Sequence, residues 1–418
     1  MSMTARILTG LASGALVGLL LAWFDPQWAD RAALIAQPIG RLWLNALQMT
    51  VVPLVLALVV VGVSAANDAA ASGRTARRAI VAFALLLGTG AAFAAIVAPM
   101  ALSFLPRDPA LIAHLRASIA TDAIPAAPVG LGDWLATVIP SNAIAAAAQS
   151  AMLPLVVFAL FFGFALTRIE TQRRARMIEF FQSIADAMIV IVRWVLWVAP
   201  LGVFALVLAV CAKAGTSVLS ALGWYVALLI AMYLAVTLLL YPVAVIFGGQ
   251  RLRRFAAGIL PAQIVAASTQ SSLASLPAMV ESARDRLGHP RAVVALVLPM
   301  AVSLFRITSP IQYLGAASFV AWIYGIDVSV AHLSVAAALA VVLSLGAVGL
   351  PGQVSFMAAT MPVTSAMGLP IEPLGLLLAV DTIPDVFATV GNVSADLTAS
   401  AIVGKEQRDE ATAGNAAG

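Results

Sequence analysis

Ten apolar stretches alternate with short polar gaps along the 418-residue chain. Eight of them, at 7–23, 42–64, 79–105, 138–167, 187–211, 217–247, 291–323 and 371–403, approach or exceed the roughly 20 apolar residues a membrane helix needs. Two more, 256–282 and 331–369, are apolar on both flanks but interrupted in the middle. The first carries Ser268-Thr269-Gln270-Ser271-Ser272-Leu273-Ala274-Ser275-Leu276-Pro277 at its centre, the second Gly346-Ala347-Val348-Gly349-Leu350-Pro351-Gly352-Gln353. Ser-rich, Gly-rich and Pro-containing tips break helices and expose backbone polar groups. At membrane depth such groups are tolerated only when packed in protein or lining a cavity. The pattern predicts an all-α polytopic membrane protein: eight transmembrane helices plus two re-entrant helical hairpins, the competing reading of each hairpin being one helix kinked at proline.

Composition agrees. Apolar residues make up 62% of the chain and charged residues 10%, against about 25% charged in a soluble domain, and the mean hydropathy is +1.02. These values exclude a soluble enzyme, a nucleic-acid-binding protein and a disordered chain. Arginines supply most of the basic residues and lie in the gaps between apolar runs, as the positive-inside rule requires. With the N-terminus cytoplasmic and sides alternating, 16 of the 23 basic residues fall inside, including Arg74, Arg77, Arg78, Arg173, Arg174, Arg251, Arg253 and Arg254. That count holds only if each interrupted stretch enters and leaves on one side. The first span runs on without a cleavage motif and is expected to be a retained helix. Cys211, the one cysteine, excludes a disulfide framework.

Chemistry concentrates in the last span. Asp381, Asp385, Thr389, Asn392 and Asp396 fall within about 80° of arc if the helix is continuous at about 100° per residue. A carboxylate at the bilayer centre costs at least ~2.5 kcal/mol, so three on one face call for a wet cavity, a cation or an amine. Arg306, in Leu298-Pro299-Met300-Ala301-Val302-Ser303-Leu304-Phe305-Arg306-Ile307-Thr308-Ser309-Pro310, is the other charge in an apolar run of this half, and a carboxylate of the last span is its expected partner. Arg193 sits among tryptophans and reads as an interfacial anchor. The three histidines are too scattered for a metal site. Ser271 and Ser272 lack a neighbouring base, and no phosphate loop is present, so no catalytic residue and no cofactor are assigned. Paired interrupted segments in two halves mark the central binding site of an inverted-repeat transporter.

With these residues assembled, the chain resembles the dicarboxylate/amino acid:cation symporter family, the prokaryotic glutamate-transporter homologues, over nearly its whole length. The resemblance is carried, in order, by Arg41-Leu42-Trp43-Leu44, Met49-Thr50-Val51-Val52-Pro53-Leu54-Val55, Ile139-Pro140-Ser141-Asn142 and Ala199-Pro200-Leu201-Gly202-Val203-Phe204-Ala205, then by the two hairpin tips and the run Asp381 to Asp396. It implies a substrate held by the last helix and both tips. Asp385 would receive an amino group, Asn392 an α-carboxylate with Thr389 beside it, and Ser271, Ser272 and Leu350 would be tip contacts. Asp396 with Asn392 would form one sodium site; Ser344, Leu345 and Ala347 would form a second. Metal ions other than transported sodium are not expected.

Three departures accompany the match. The family's seventh helix carries N-M-D-G-T, whereas this chain reads Arg306-Ile307-Thr308-Ser309-Pro310. The arginine that grips acidic side chains in the family is replaced by Ala388 in one position and Gln270 in the other. Either the substrate lacks a second carboxylate or Arg306 supplies the grip. As a further option, Arg306 replaces one bound cation by pairing with Asp396 or Asp385, leaving coupling to fewer sodium ions or to protons.

The expected organisation is scaffold helices one and two in 1–78, helix three and an external loop in 79–137, scaffold helices four and five in 138–216, and helix six in 217–255. A transport core of hairpin one, helix seven, hairpin two and helix eight occupies 256–404, and a disordered cytoplasmic tail 405–418. The expected function is sodium- or proton-coupled import of a small carboxylate or amino acid by alternating access across the bacterial inner membrane, both termini cytoplasmic, in a homotrimer. An uncoupled facilitator or exchanger of the same fold is the alternative. A membrane receptor or hydrolase is a remote one.

Overall fold

The computed structural model describes residues 3–71, 73–105, 138–346 and 352–416; the expected external loop and the tip of the second hairpin lie outside them. Every regular element among these residues is helical. The first helices are α1 (Met3–Phe24), α2 (Pro26–Ala71) and α3 (Arg74–Ser103). The gap expected between the first two spans is itself helix. The Asp25 carboxylate accepts from the amides of Gln27 (2.9 Å) and Trp28 (3.3 Å), and Pro26, with no N–H to lose, takes the first position. One cap thus starts a 46-residue helix, about 69 Å long.

Next come α4 (Ala143–Ala148), α5 (Met152–Leu166), α6 (Thr171–Trp197), α7 (Ala199–Ala214) and α8 (Ser217–Ile246). Span 138–167 yields mainly the 15-residue α5, because the chain turns at Ser150 with φ 54°. Span 187–211 is divided at Val198, where Pro200 opens α7. Seven segments of the described residues, Arg291–Tyr324 taken as one, are long and apolar enough to cross a membrane; α5 is shorter.

The C-terminal half holds α9 (Leu252–Thr269), α10 (Ser272–Glu281), α11 (Arg291–Leu304), α12 (Thr308–Tyr324), α13 (Val330–Gly346), α14 (Gly352–Ala366), α15 (Leu374–Val380) and α16 (Asp385–Ala416). The Ser-rich tip is a break, as its composition predicts. Gln270 adopts the left-handed conformation at φ 51°, Ser271 caps α10 by accepting from the Ala274 amide (3.2 Å), and α10 folds back along α9. Two expected continuous spans are broken. Between α11 and α12, Phe305 is extended and Pro310 removes an N–H from the new first turn. Between α15 and α16, Pro384 does the same. The final helix also runs on to Ala416 through a segment expected to be disordered, since Lys405-Glu406-Gln407-Arg408 are all good helix formers continuing an established helix.

Two sets of packed helices result. In the first, α1 and α2 lie on α7, and α2 also packs on α5 and α6. Gly10, Gly14 and Gly18 form a stripe on α1, where an added Cβ would come within 2.4–2.8 Å of the carbonyl oxygens of Pro200, Phe204 and Leu208. Small residues at this spacing let helix backbones touch where lipid offers no hydrophobic drive. In the second set, α9, α10, α11 and α16 share a core built on Phe255, Ile259, Met279, Leu298, Val393 and Leu397. Helices α3, α8 and α12 close around α16. Leu34, Leu42, Phe161, Trp194 and Leu238 are exposed, a surface suited to lipid rather than water.

Candidate functional site

The breaks before α12 and before α16 bring polar groups to one region. The first is braced by α3: Phe83 stacks on Phe305 (centroids 4.9 Å, 7° between planes), and Gly90 lies so close to Ile307 that a Cβ would come within 3.2 Å of its carbonyl. Held there, Thr308 opens α12 with its amide (3.1 Å) and its hydroxyl (2.9 Å) both donating to Asn392 Oδ1 on α16. The side-chain oxygen of Asn392 is therefore committed. Its Nδ2 is buried without a partner among the described residues, leaving two amide protons to offer.

One turn further along α16, Asp396 is completely buried and neither carboxylate oxygen has a hydrogen-bond partner among the described residues. A buried acceptor left unpaired costs about 1–3 kcal/mol, more when charged. A cation or a proton is the chemistry that would satisfy such a group. Asp385 opens α16 and is half-buried, its charge favoured by the helix N-terminus. The Thr389 hydroxyl donates to the Asp385 carbonyl (2.9 Å), so it retains only acceptor capacity.

Asp381 leaves the predicted stripe. Pro384 ends the continuous helix, and both Asp381 oxygens accept from Gln312 Nε2 at 2.9 and 2.8 Å. This aspartate ties α12 to the short helix α15. Arg306 sits half-buried in the break itself rather than inside a helix. No described carboxylate approaches its guanidinium within the 4 Å of an ion pair. The expected direct pairing with Asp385 or Asp396 is thus absent, because the unwound backbone takes Arg306 off the helix face that would have met them.

Ser271 and Ser272 stand at the start of α10, which packs against α16. Ser344 is buried, its hydroxyl returned to the Ala340 carbonyl (2.6 Å), and Leu345 follows it near the end of α13. Helix α13 packs mainly on α2, α3, α12 and α14. Ala347 and Leu350 lie outside the described residues. Three partners escaped the sequence: Thr308, Gln312, and Gln263 of α9, which donates to Ser394 on α16 (2.9 Å). Their signal was a polar residue in an apolar run, but only tertiary structure supplies the opposite member of each pair.

The sequence pattern of the sodium:dicarboxylate symporter family matches residues 3–406. The chain belongs to this family. Among its relatives, the proton/glutamate-aspartate symporter of Escherichia coli (strain K12) is 27% identical over 412 residues, 97% of this chain and 92% of that protein. C4-dicarboxylate transport protein 2 of Polaromonas naphthalenivorans (strain CJ2) is 26% identical, covering 93% of this chain and 85% of its own length. The neutral amino acid transporter B(0) of Oryctolagus cuniculus is 30% identical over 391 residues, 85% of this chain and 71% of the relative. Within the family, then, similar chains are named for acidic, dicarboxylic and neutral substrates, and the residues of this chain's own site must decide among them.

Proposed function

We propose that this protein is a secondary active symporter that imports a small carboxylate or amino acid together with a cation by alternating access. The observation that carries the reading is Asp396: a fully buried carboxylate, both oxygens unpartnered, one turn from the free amide of Asn392. A cation seated on Asp396 and the Asn392 backbone neutralises that charge, while Asn392 Nδ2 donates to the substrate carboxylate. Coupling follows from the single turn of helix between them, since each ligand makes the other's site less costly to fill. Asp385 receives a substrate amine, and Thr389, Ser271, Ser272 and Leu350 complete the cradle. A second cation site uses Ser344, Leu345 and Ala347.

Arg306, with no ion-pair partner among the described residues, grips a second substrate carboxylate from the break between α11 and α12. This favours dicarboxylates and acidic amino acids over neutral ones. The helical hairpin α9–α10 and the α13–α14 pair are re-entrant, giving eight crossings, and the chain works as a homotrimer in the bacterial inner membrane with cytoplasmic termini.

Proteoliposomes with imposed sodium or proton gradients test the reading. Accumulation of a C4 dicarboxylate or acidic amino acid against its gradient is expected, and equilibration without accumulation would establish the uncoupled alternative. Arg306→Ala should reduce uptake of doubly carboxylated substrates at least about tenfold, the loss of one charge-assisted hydrogen bond, and affect neutral amino acids far less. If Arg306→Ala instead raises the number of sodium ions needed per turnover, the arginine substitutes for a cation.

A further inference from the structure

A cavity of about 320 Å³ lies where α2 and α7 face α8, α12 and α15, and none of its lining residues belongs to the Asp396 site. Its apolar walls are closed: Leu44 of α2, Phe319 of α12 and Leu377 of α15 are 4%, 1% and 1% exposed. Three charged side chains also line it: Arg41 of α2, Lys213 in the last turn of α7, and Glu372 just ahead of α15. All three are exposed, so they mark the open end. None of them has an ion-pair partner among the described residues. The cavity thus has a dry, apolar interior and a mouth with two unpaired cations and one unpaired carboxylate.

We propose that this cavity binds an apolar α-amino acid as a regulatory ligand, its carboxylate on Arg41 and Lys213, its ammonium on Glu372, and its side chain against Leu44, Phe319 and Leu377. Charge complementarity selects the occupant. A plain anion is opposed by Glu372 and a plain amine by both cations, whereas a molecule carrying both charges on neighbouring atoms satisfies all three groups. The buried walls call for an apolar remainder. The volume, at the low end of the ~300–1,000 Å³ of small-molecule sites, keeps that remainder short. A phospholipid needs a lipid-facing groove for its chains, which these closed walls do not provide. Because the walls come from both sets of helices, an occupant that fits one relative position of the sets biases the molecule toward it. Slowed transport follows from that bias and rests on the alternating-access reading; the binding itself does not.

Thermal melting of the purified protein in detergent with phenylalanine, phenylpropanoate or phenylethylamine, which share a ring and differ in charge, tests the site. Phenylalanine should raise the melting temperature at the lowest concentration of the three. Arg41→Gln/Lys213→Gln should raise its half-saturating concentration at least about tenfold, the loss of charge-assisted hydrogen bonds. Glu372→Gln should remove the preference for phenylalanine over phenylpropanoate. Leu376→Trp, which keeps all three charges and fills the cavity from α15, should lose the stabilisation, and Asp385→Asn should keep it. Stabilisation lost in Asp385→Asn but kept in the cavity variants would place phenylalanine in the central site and overturn the proposal. So would an unresponsive parent protein, or a response abolished by added phosphatidylethanolamine, which would make a lipid the occupant. In proteoliposomes, phenylalanine should lower the maximal rate of glutamate uptake at unchanged KM in the parent but not in Arg41→Gln/Lys213→Gln; a raised KM alone would overturn the regulatory role. Phenylalanine binding at the cavity without any solute uptake would overturn the symport reading and uphold the site.

Discussion

At the scale of single residues, this site is defined by what is left unsatisfied. Among the described residues, Asp396 has no hydrogen-bond partner and only the oxygen of the Asn392 amide has one. Replacing Asp396 by Asn removes a charge that only a bound ion relieves. Uptake coupled to sodium should fall by more than about tenfold, and sodium should raise the melting temperature less than it does in the parent protein, as ligand linkage demands when one cation site is lost. The apo variant should melt no lower than the apo parent; a lower melting temperature would mean that Asp396 has a structural partner. Asp381 behaves oppositely. Gln312→Leu strands a buried carboxylate, at a cost of about 1–3 kcal/mol, and the lowered stability should be recovered in Gln312→Leu/Asp381→Leu, where both polar groups are gone. That Asp385, Asn392 and Asp396 share one helix was legible in the sequence, because all three stand at helical spacing. Asp381 was misplaced because the stripe was drawn through Pro384. Thr308 and Gln312 were not legible as partners, since spacing along one chain segment carries no information about which side chain faces it from another.

At the scale of elements, apolar run length identified most of the helices and misjudged where they stop. Interruptions came from single backbone events inside apolar runs: extended Phe305, left-handed Ser150, Pro384. Hydropathy is blind to these, because Phe and Pro count as little different from their neighbours. The Ser-rich tip was legible since several polar residues mark it at once. The small residues between helices make a distinct prediction. A methyl group on Gly202 would sit 2.3 Å from the Trp43 ring, whose Nε1 donates to the Val195 carbonyl (3.1 Å). Gly202→Ala should therefore cost about 1–3 kcal/mol by overpacking, read as a lower melting temperature in detergent. Trp43→Phe/Gly202→Ala should recover part of it.

Across the whole molecule, two packed sets of helices meet along α2, α13, α14 and α15. If transport moves one set against the other, tethering them stops it. Gly375 of α15 and Leu44 of α2 are in close contact, a Cβ on Gly375 falling 2.3 Å from Leu44 Cδ2. In a Cys211→Ala background, Leu44→Cys/Gly375→Cys should lose uptake when bridged by mercuric ion and regain it with thiol, while each single variant stays insensitive. Continued uptake by the bridged protein would show that these two helices travel together. The expected division into scaffold and core came from family resemblance alone. Which helix touches which is a property of packing that no local pattern encodes.

The glycine stripe on α1 has a consequence for biosynthesis. Gly10, Gly14 and Gly18 are shaped to receive α7, which begins at Ala199. A ribosome adding about 5–20 residues per second needs on the order of 10–40 s to cover the roughly 180 residues between them. During that interval α1 waits in the bilayer with its notch filled by lipid or by an assembly factor. Nascent chains stalled before residue 199 should consequently expose a cysteine at Ala15, buried beside the stripe in the folded chain, to a lipid-phase alkylating reagent, the native cysteine being removed by Cys211→Ala. Chains released after residue 214 should hide it.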